Sequence, residues 1–380
     1  MGEHRLAILG YGGFGQFLHH AWEGIPGLVL VAVSGRRRSP RIPPGVPYYP
    51  DWRELIEREQ PEIVAIATPP VTHAPIARYA MERGCHVIVE KPLATTLEDA
   101  QELVALRDRR GVRATVDFTL RYSPIVEALA RITQEGILGR LMRVMIENYA
   151  SGELPREHWF WDWEQSGGIL VEHGVHFFDL VHFLLGNPTV RSVSGVAYRR
   201  GDGLVDRMAA LVLHPEGVVA SHFHAFSRPG FLERTSLRLA YDLGEVEVEG
   251  WIPLSGTVRA LVNERTKGYL ELLPGLEVIQ EVPVEELGDV SRPEGWGDEW
   301  PLPPPPGREV RSGGRTYYVE TFVEARFSLS LSKAEAYTAC LRSLMEEFLA
   351  WIEDPARRPR VSLEDGLRAL EVALAATRSP

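Results

Sequence analysis

The sequence predicts an α/β chain in two parts, a doubly wound parallel sheet over residues 1–122 and an α+β domain over residues 123–380. Three observations predict it. Short apolar runs alternate with amphipathic stretches through the first third of the chain. A glycine-rich turn sits between the first apolar run and the first helical pattern. After Ser123-Pro124 the texture changes to alternating polar and apolar strands interrupted by helices.

In the first part the apolar runs are Leu6–Leu9, Leu28–Val33, Ile63–Ala67, His86–Val89 and Ala114–Phe118. Between them lie helical patterns at Phe14–Glu23, Trp52–Glu59, Ala74–Arg83 and Leu97–Arg110. Continuously apolar strands separated by helices describe a parallel sheet covered on both faces. In the second part, helical stretches at Pro124–Glu135 and Gly168–Leu185 flank a strand at Arg140–Tyr149. Alternating segments follow at Arg191–Tyr198, Arg207–His214, Val218–Phe226, Ser236–Tyr241 and Glu245–Glu249, the pattern of half-buried antiparallel strands. Residues 285–314, with four consecutive prolines at Pro303–Pro306, read as an exposed excursion. Helices at Lys333–Ile352 and Ser362–Thr377 close the chain, the latter opening on a capping-box pattern from Ser362 to Asp365.

Composition narrows the function. At 380 residues the chain exceeds what one core holds, and 44% hydrophobic with 24% charged residues is ordinary for a globular protein. A net charge of −11 argues against a general nucleic-acid surface, and no apolar run is long enough for a membrane span. The cysteines, Cys85 and Cys340, are too few for a disulfide framework and predict a cytoplasmic protein with buried thiols. Only Lys91, Lys267 and Lys333 are lysines; every other fixed cation is arginine. A chain that prefers arginine keeps a lysine where a titratable amine is useful.

Gly10-Tyr11-Gly12-Gly13-Phe14-Gly15 fits G-x-G-x-x-G between a strand and a helix, the context a dinucleotide loop requires. Gly10 allows the tight turn, Gly12 lets the backbone approach a pyrophosphate, and Gly15 lets helix and strand pack closely. The helix N-terminus then favours the phosphate charge. An NAD site places an acid at the end of the second strand. Here the sequence reads Ser34-Gly35-Arg36-Arg37-Arg38. A hydroxyl and guanidiniums suit a 2′-phosphate, so NADP(H) is favoured over NAD(H).

Two further stretches carry the site. One is Thr68-Pro69-Pro70-Val71-Thr72-His73, with Gly84-Cys85-His86-Val87-Ile88-Val89-Glu90-Lys91-Pro92 behind it. The other runs from Ser166-Gly167-Gly168 through Glu172-His173-Gly174-Val175-His176 to Asp179. With the N-terminal glycines and the tail from Val361 to Gly366, they resemble the Gfo/Idh/MocA oxidoreductase family, of glucose–fructose oxidoreductase and inositol dehydrogenase. The resemblance covers nearly the whole chain outside residues 253–320. It implies a Rossmann domain, then a second domain whose large, mostly antiparallel open sheet forms a homodimer or homotetramer interface. It also implies a nicotinamide-dependent dehydrogenase or reductase acting on a sugar, polyol or related small polar substrate.

Carried onto this sequence, the resemblance puts Glu90, Lys91 and Pro92 beside the nicotinamide, with a cis bond at Pro92 one expectation. Thr68, Pro69 and His73 are to line the cofactor groove. His176 is the expected general acid/base, Lys91 the polariser and proton relay. Glu172 stands four residues before His176, so a regular helix would put the two on one face, with Glu172 orienting the imidazole. Substrate contacts are expected from Arg121, Tyr149, Trp159 and Trp161, with Trp163 adding to an aromatic pocket. The family usually carries Asp where this chain has Glu172, and often a Trp-Arg pair where this chain has Trp159-Phe160. Two other functions fit the same fold, a non-catalytic cofactor-binding sensor and a hydrolase that uses tightly held NAD as a transient oxidant. His222 and His224 share a strand face, but no acidic or cysteine partner stands at ligand spacing, so no metal is expected.

Overall fold

The structure, a computed structural model, describes residues 3–287 and 308–378. It opens with β1 (His4–Leu9), α1 (Gly13–Trp22), β2 (Leu28–Ser34), β3 (Tyr48–Tyr49), α2 (Trp52–Glu59), β4 (Ile63–Ile66), α3 (His73–Glu82), β5 (His86–Val89), α4 (Leu97–Arg110) and β6 (Ala114–Val116). Their strands form one all-parallel sheet in the order β3-β2-β1-β4-β5-β6, the arrangement of a dinucleotide-binding Rossmann fold. Each element has a local cause. β4 is buried along its whole length, as a central parallel strand covered on both faces must be. Asp51 and Thr96 cap α2 and α4 by accepting the N–H groups of Arg53 and Asp99, and Gly111 ends α4 in the left-handed conformation.

The second part contains α5 (Pro124–Gln134), β7 (Leu141–Ser151), α6 (Trp163–Ser166) and α7 (Val175–Leu184). It continues through β8 (Ser192–Arg199), β9 (Val205–Leu213), β10 (Val219–Arg228), β11 (Arg234–Tyr241), β12 (Gly244–Glu249), β13 (Ser255–Val262) and α8 (Glu264–Leu270). β14 (Glu277–Pro283), β15 (Glu309–Ser312), β16 (Arg315–Tyr318), β17 (Thr321–Ser328), α9 (Lys333–Glu353) and α10 (Leu363–Arg378) complete it. Nine strands join in the order β14-β17-β13-β12-β11-β7-β10-β9-β8, antiparallel except where β10 runs parallel to β7. This is the large open sheet expected. β15 and β16 pair separately as a hairpin. The four-proline stretch lies outside the described residues.

Two details depart from the sequence pattern. The helical block after Gly168 is not one regular helix, because Leu170–Gly174 forms a wider π turn before α7 begins. The final helices do not stay with the second sheet alone. The Trp22 indole of α1 donates to the Leu341 carbonyl of α9, and Gly366 of α10 lies against Val116 and Leu93. A Cβ on Gly366 would meet the Val116 side chain at 2.7 Å, so glycine is what lets α10 close on the Rossmann sheet. At the start of α10, Asp365 returns its carboxylate to the Ser362 N–H at 2.7 Å, the backward half of the anticipated capping box. The two sheets are thereby clamped around the cleft described next.

Candidate active site

The cleft is built at the carboxyl ends of the parallel strands, where ligands bind in open α/β sheets. Between β1 and α1, Gly10 has φ of +97°, and a Cβ there would stand 2.3 Å from the Ala67 carbonyl oxygen. A Cβ on Gly15 would stand 2.3 Å from the Gly10 oxygen, so glycine alone lets α1 pack this close to β1. Gly12, by contrast, has open space around it, and no side chain caps the helix it begins. The loop is therefore closed behind and open in front, a cradle that fits a pyrophosphate. The N–H groups of Gly10 and Tyr11 donate to the Ser34 carbonyl, which fixes the loop to the end of β2. The Tyr11 ring turns inward, its hydroxyl 2.7 Å from His19 Nδ1, so this residue offers the cleft its backbone. Phe14 packs on Tyr337. Ser34 is buried at the tip of β2, whereas Arg36 and Arg37 are exposed beyond it.

At the ends of β4 and β5 the backbone is stapled together. Thr72 donates from its hydroxyl to Pro69 O at 2.7 Å and stands 2.7 Å from the Thr68 hydroxyl. His73 is buried, with Nδ1 2.7 Å from Pro92 O and Nε2 2.7 Å from Thr68 O. Burial lowers its pKa, and a neutral ring donates to one of those carbonyls. Thr68 and Pro69 stand at the cleft, but the His73 ring lies behind it, holding the two strand ends in register.

The Lys91–Pro92 bond is cis. Lys91 Nζ donates to Glu172 Oε1 at 2.7 Å and to the Glu172 carbonyl at 2.8 Å, both side chains being largely shielded from water. This pairing joins the Rossmann sheet to the π turn and corrects the expected role of Glu172. No hydrogen bond joins Glu172 to His176 among the described residues. The wider turn breaks the i,i+4 register that would have set them side by side, and the longer glutamate reaches the amine instead.

His176 lies buried at the head of α7 with Nδ1 unpartnered. Burial drives its pKa well below the ordinary value, and the Lys91 charge, then His173 and His224, lower it further. Burial favours the neutral imidazole, and Lys91 is near enough for its charge to reach the ring.

Beneath Lys91 sits a pair that sequence reasoning missed. The carboxyls of Glu90 and Asp117 are close enough to act on each other, and desolvation followed by Asp117 pushes Glu90 well above the carboxylate range. Burial raises Asp117 as well. The signal was present as an acid inside the apolar run Ala114–Phe118. Trp251 was also missed, because its loop between β12 and β13 carries no motif. Its ring packs edge-on against His176, with centroids 5.2 Å apart, and against Tyr337 at 5.0 Å.

Three expected substrate contacts do not fit. Arg121 is 1% exposed, with its guanidinium bonded to Asp179, Asp365, Asn187 and the Arg360 carbonyl, so all of its donors are spent inside the fold. Tyr149 occupies the sheet face opposite its neighbour Asn148, where Arg228 lies over its ring at 3.6 Å. Trp161 is buried, its indole N–H pointing at the Leu154 carbonyl at 3.4 Å, and Trp163 lies outside against Gly168. Trp159 remains half-buried beside His158 and Phe160. Among the described residues no group of three or more His, Cys, Asp or Glu side chains converges to hold a metal, and no helix is long and apolar enough to cross a membrane.

Residues 4–118 match the oxidoreductase family described as an NAD-binding Rossmann fold, and residues 126–244 match the GFO/IDH/MocA C-terminal domain. The chain is 29% identical over 226 residues to D-apiose dehydrogenase of Paraburkholderia graminis, a match covering 56% of this chain and 58% of that one. It is 28% identical over 203 residues to D-glucoside 3-dehydrogenase of Escherichia coli, covering 52% and 58%. The match thus spans little more than half the length of either relative. The fold is that of GenD2 from gentamicin A biosynthesis, solved in complex with NAD, at a TM-score of 0.72 and 20% identity over 100% of this chain and 94% of that one.

Proposed function

Because the chain belongs to the Gfo/Idh/MocA oxidoreductase family, we propose that it is an NAD(P)-dependent enzyme that oxidises a CH–OH group of a sugar, polyol or related small polar compound, or reduces the matching carbonyl. The observation that carries this reading is the Lys91 amine, held by Glu172 beside a neutral, buried His176 in the cleft that the glycine loop opens on.

The loop at residues 10–15 would hold the pyrophosphate, with Thr68, Pro69 and the Glu90–Pro92 turn beside the nicotinamide. When bound, the nicotinamide supplies the two-electron acceptor or donor for the substrate carbon. The rest belongs to the chain. Lys91 donates a hydrogen bond to the substrate oxygen, and Glu172, gripping the amine through carboxylate and carbonyl, fixes its direction. His176 takes the hydroxyl proton at Nε2 in oxidation and returns it in reduction, which the depressed pKa permits because the ring begins neutral. Trp251 walls one side of the imidazole.

Purified protein should alter nicotinamide fluorescence and turn over a member of a sugar and polyol panel. Lys91→Ala and His176→Ala should each lower kcat by about 10²–10⁴-fold with cofactor affinity retained. Unchanged rates in both variants reject the assignment, and cofactor binding without any turnover favours the sensor. Ser34, Arg36 and Arg37 support a preference for NADP(H), the last two being free at the tip of β2 to meet a 2′-phosphate. Arg36→Ala with Arg37→Ala should weaken NADPH by about tenfold, equivalent to roughly 1.4 kcal/mol, and leave NADH unchanged in a comparative titration. The outer sheet face exposes Val196, Tyr198 and Leu211 at 59%, 51% and 52%, an apolar patch that suits pairing of two copies. Light scattering should return a dimer or tetramer.

A further inference from the structure

Between α7 and the inner face of the nine-stranded sheet runs a file of buried histidines that the proposed chemistry leaves unused beyond its first member. His176 lies 5.8 Å from His173 between ring centroids, His173 lies 5.7 Å from His224, and His224 stacks at 6.1 Å on His222. His214 and His182 form a pair 5.7 Å apart whose charges, if present, would be felt by His222. The strand explains the order. His222 and His224 are two residues apart on β10, so both point at α7, where Phe178 and Phe177 pack on them at 4.5 Å and 5.3 Å.

These rings are not ordinary packing. Both ring nitrogens of His182, His214, His222 and His224 are buried without a hydrogen-bond partner, as are Nε2 of His173 and Nδ1 of His176. Asn148, which faces His224 across the β7–β10 register, adds an unpartnered amide nitrogen. Buried polar atoms in folded proteins find partners in the chain or in ordered water, and water settles where several such atoms surround a gap. Apolar side chains of the same shape would fill this space without leaving any nitrogen unpaired.

We propose that this file holds ordered water and carries protons between His176 and the surface, so that the reaction's proton leaves or arrives without crossing the substrate cleft. The proposal rests on His176 acting as the acid/base. In oxidation His176 gains a proton at Nε2 and gives one up from Nδ1 to a water. Each neutral ring then accepts on one nitrogen and releases from the other. One proton reaches bulk solvent for each proton taken from substrate, and no ring ends with a changed charge. The outer end is His214, which directly precedes the exposed turn Pro215–Gly217. The charges facing the file are Lys91 at the inner end, and Arg121, Arg368 and Asp365 near His182. Burial keeps the rings neutral, the form that both donates and accepts.

The test uses the intact protein. A wild-type crystal structure at high resolution should show water between the rings of His173, His224 and His222, whereas dry contacts overturn the proposal without reference to activity. In weakly buffered solution, His222→Phe and His224→Phe should lower kcat by roughly tenfold, with substrate KM and cofactor affinity unchanged, and added imidazole should restore the rate. His176→Ala should be slow at every buffer concentration, which separates failure of the conduit from failure of the acid/base assignment. Full activity of both phenylalanine variants in weak buffer overturns the conduit.

Discussion

The guanidinium of Arg121 is bonded through Nε and Nη2 to Asp179, and through Nη2 to Asp365, with Nη1 donating to the Arg360 carbonyl. Arg121 and Asp179 are almost wholly shielded from water, so each depends on the other. Burial pushes the Asp179 carboxyl up to about 6 even against the pull of Arg121, while Asp365, less deeply placed and held by the Ser362 N–H, stays below its usual range. Removing the cation would strand the buried Asp179 carboxylate, Asp365 keeping Arg368 and Ser362, and an uncompensated buried charge costs far more than the ion pair itself contributes. Arg121→Ala should therefore destabilise the fold by about 3–5 kcal/mol, measured by denaturant unfolding, rather than act through substrate KM. The sequence could not show this, because a lone arginine after an apolar strand looks the same whether it faces a ligand or an acid 244 residues away. The partner of Glu172 escapes the sequence for a related reason. Its spacing from His176 is legible, but the π turn that redirects it to Lys91 leaves no pattern in residue type.

At the scale of elements the chain was far more legible. All five apolar runs of the first part appear as parallel strands, because a strand buried on both faces must be apolar throughout. The two-residue β3 was not recognised, being too short to show a period, and β13, β14 and β17 lie in or beside a stretch with weak alternation. The glycine loop joins sequence to function most directly, and its glycines answer to different constraints. Gly15 is required by packing, since a methyl group would strike the Gly10 carbonyl at 2.3 Å. Gly12 meets nothing within 4 Å, so its lack of a side chain serves only what enters the cleft. Gly12→Ala should then fold with an unchanged thermal midpoint yet lose dinucleotide affinity. Gly15→Ala should lower the midpoint as well, by forcing α1 away from β1. Equal loss of stability in both variants would mean that the loop is a structural turn and nothing more.

Over the whole molecule the buried histidines set how stability responds to acid. His173 and His182 are pushed down to about 3 and His214 to about 4, burial being the first cause in each, with His176, His222 and His224 lowered in the same direction. In the unfolded chain these rings titrate near 6.5. Below that pH the unfolded state takes up protons that the folded state refuses, so stability falls with pH from about 6.5 down to the folded values, by about 1.4 kcal/mol per ring per pH unit. The raised carboxyls act in the opposite sense. Asp179, at about 6, and the Glu90–Asp117 pair keep protons in the fold that the unfolded chain has released, so their contribution is full below the ordinary carboxylate range and fades as pH rises. Between pH 6 and 4 the two trends oppose each other, and the rings outnumber the carboxyls. With a folded domain typically only about 5–15 kcal/mol stable, a few rings suffice to unfold it in mild acid. The thermal midpoint should drop steeply between pH 6.5 and 4.5. The double variant His182→Phe with His214→Phe should flatten that drop, gaining more at pH 5 than at pH 7, because apolar rings have nothing to protonate. Parallel midpoint curves for variant and wild type would show that these two imidazoles titrate alike in the folded and unfolded chain, and the acid sensitivity would then have to come from paired carboxylates held below their usual range, such as Glu364 and Asp365.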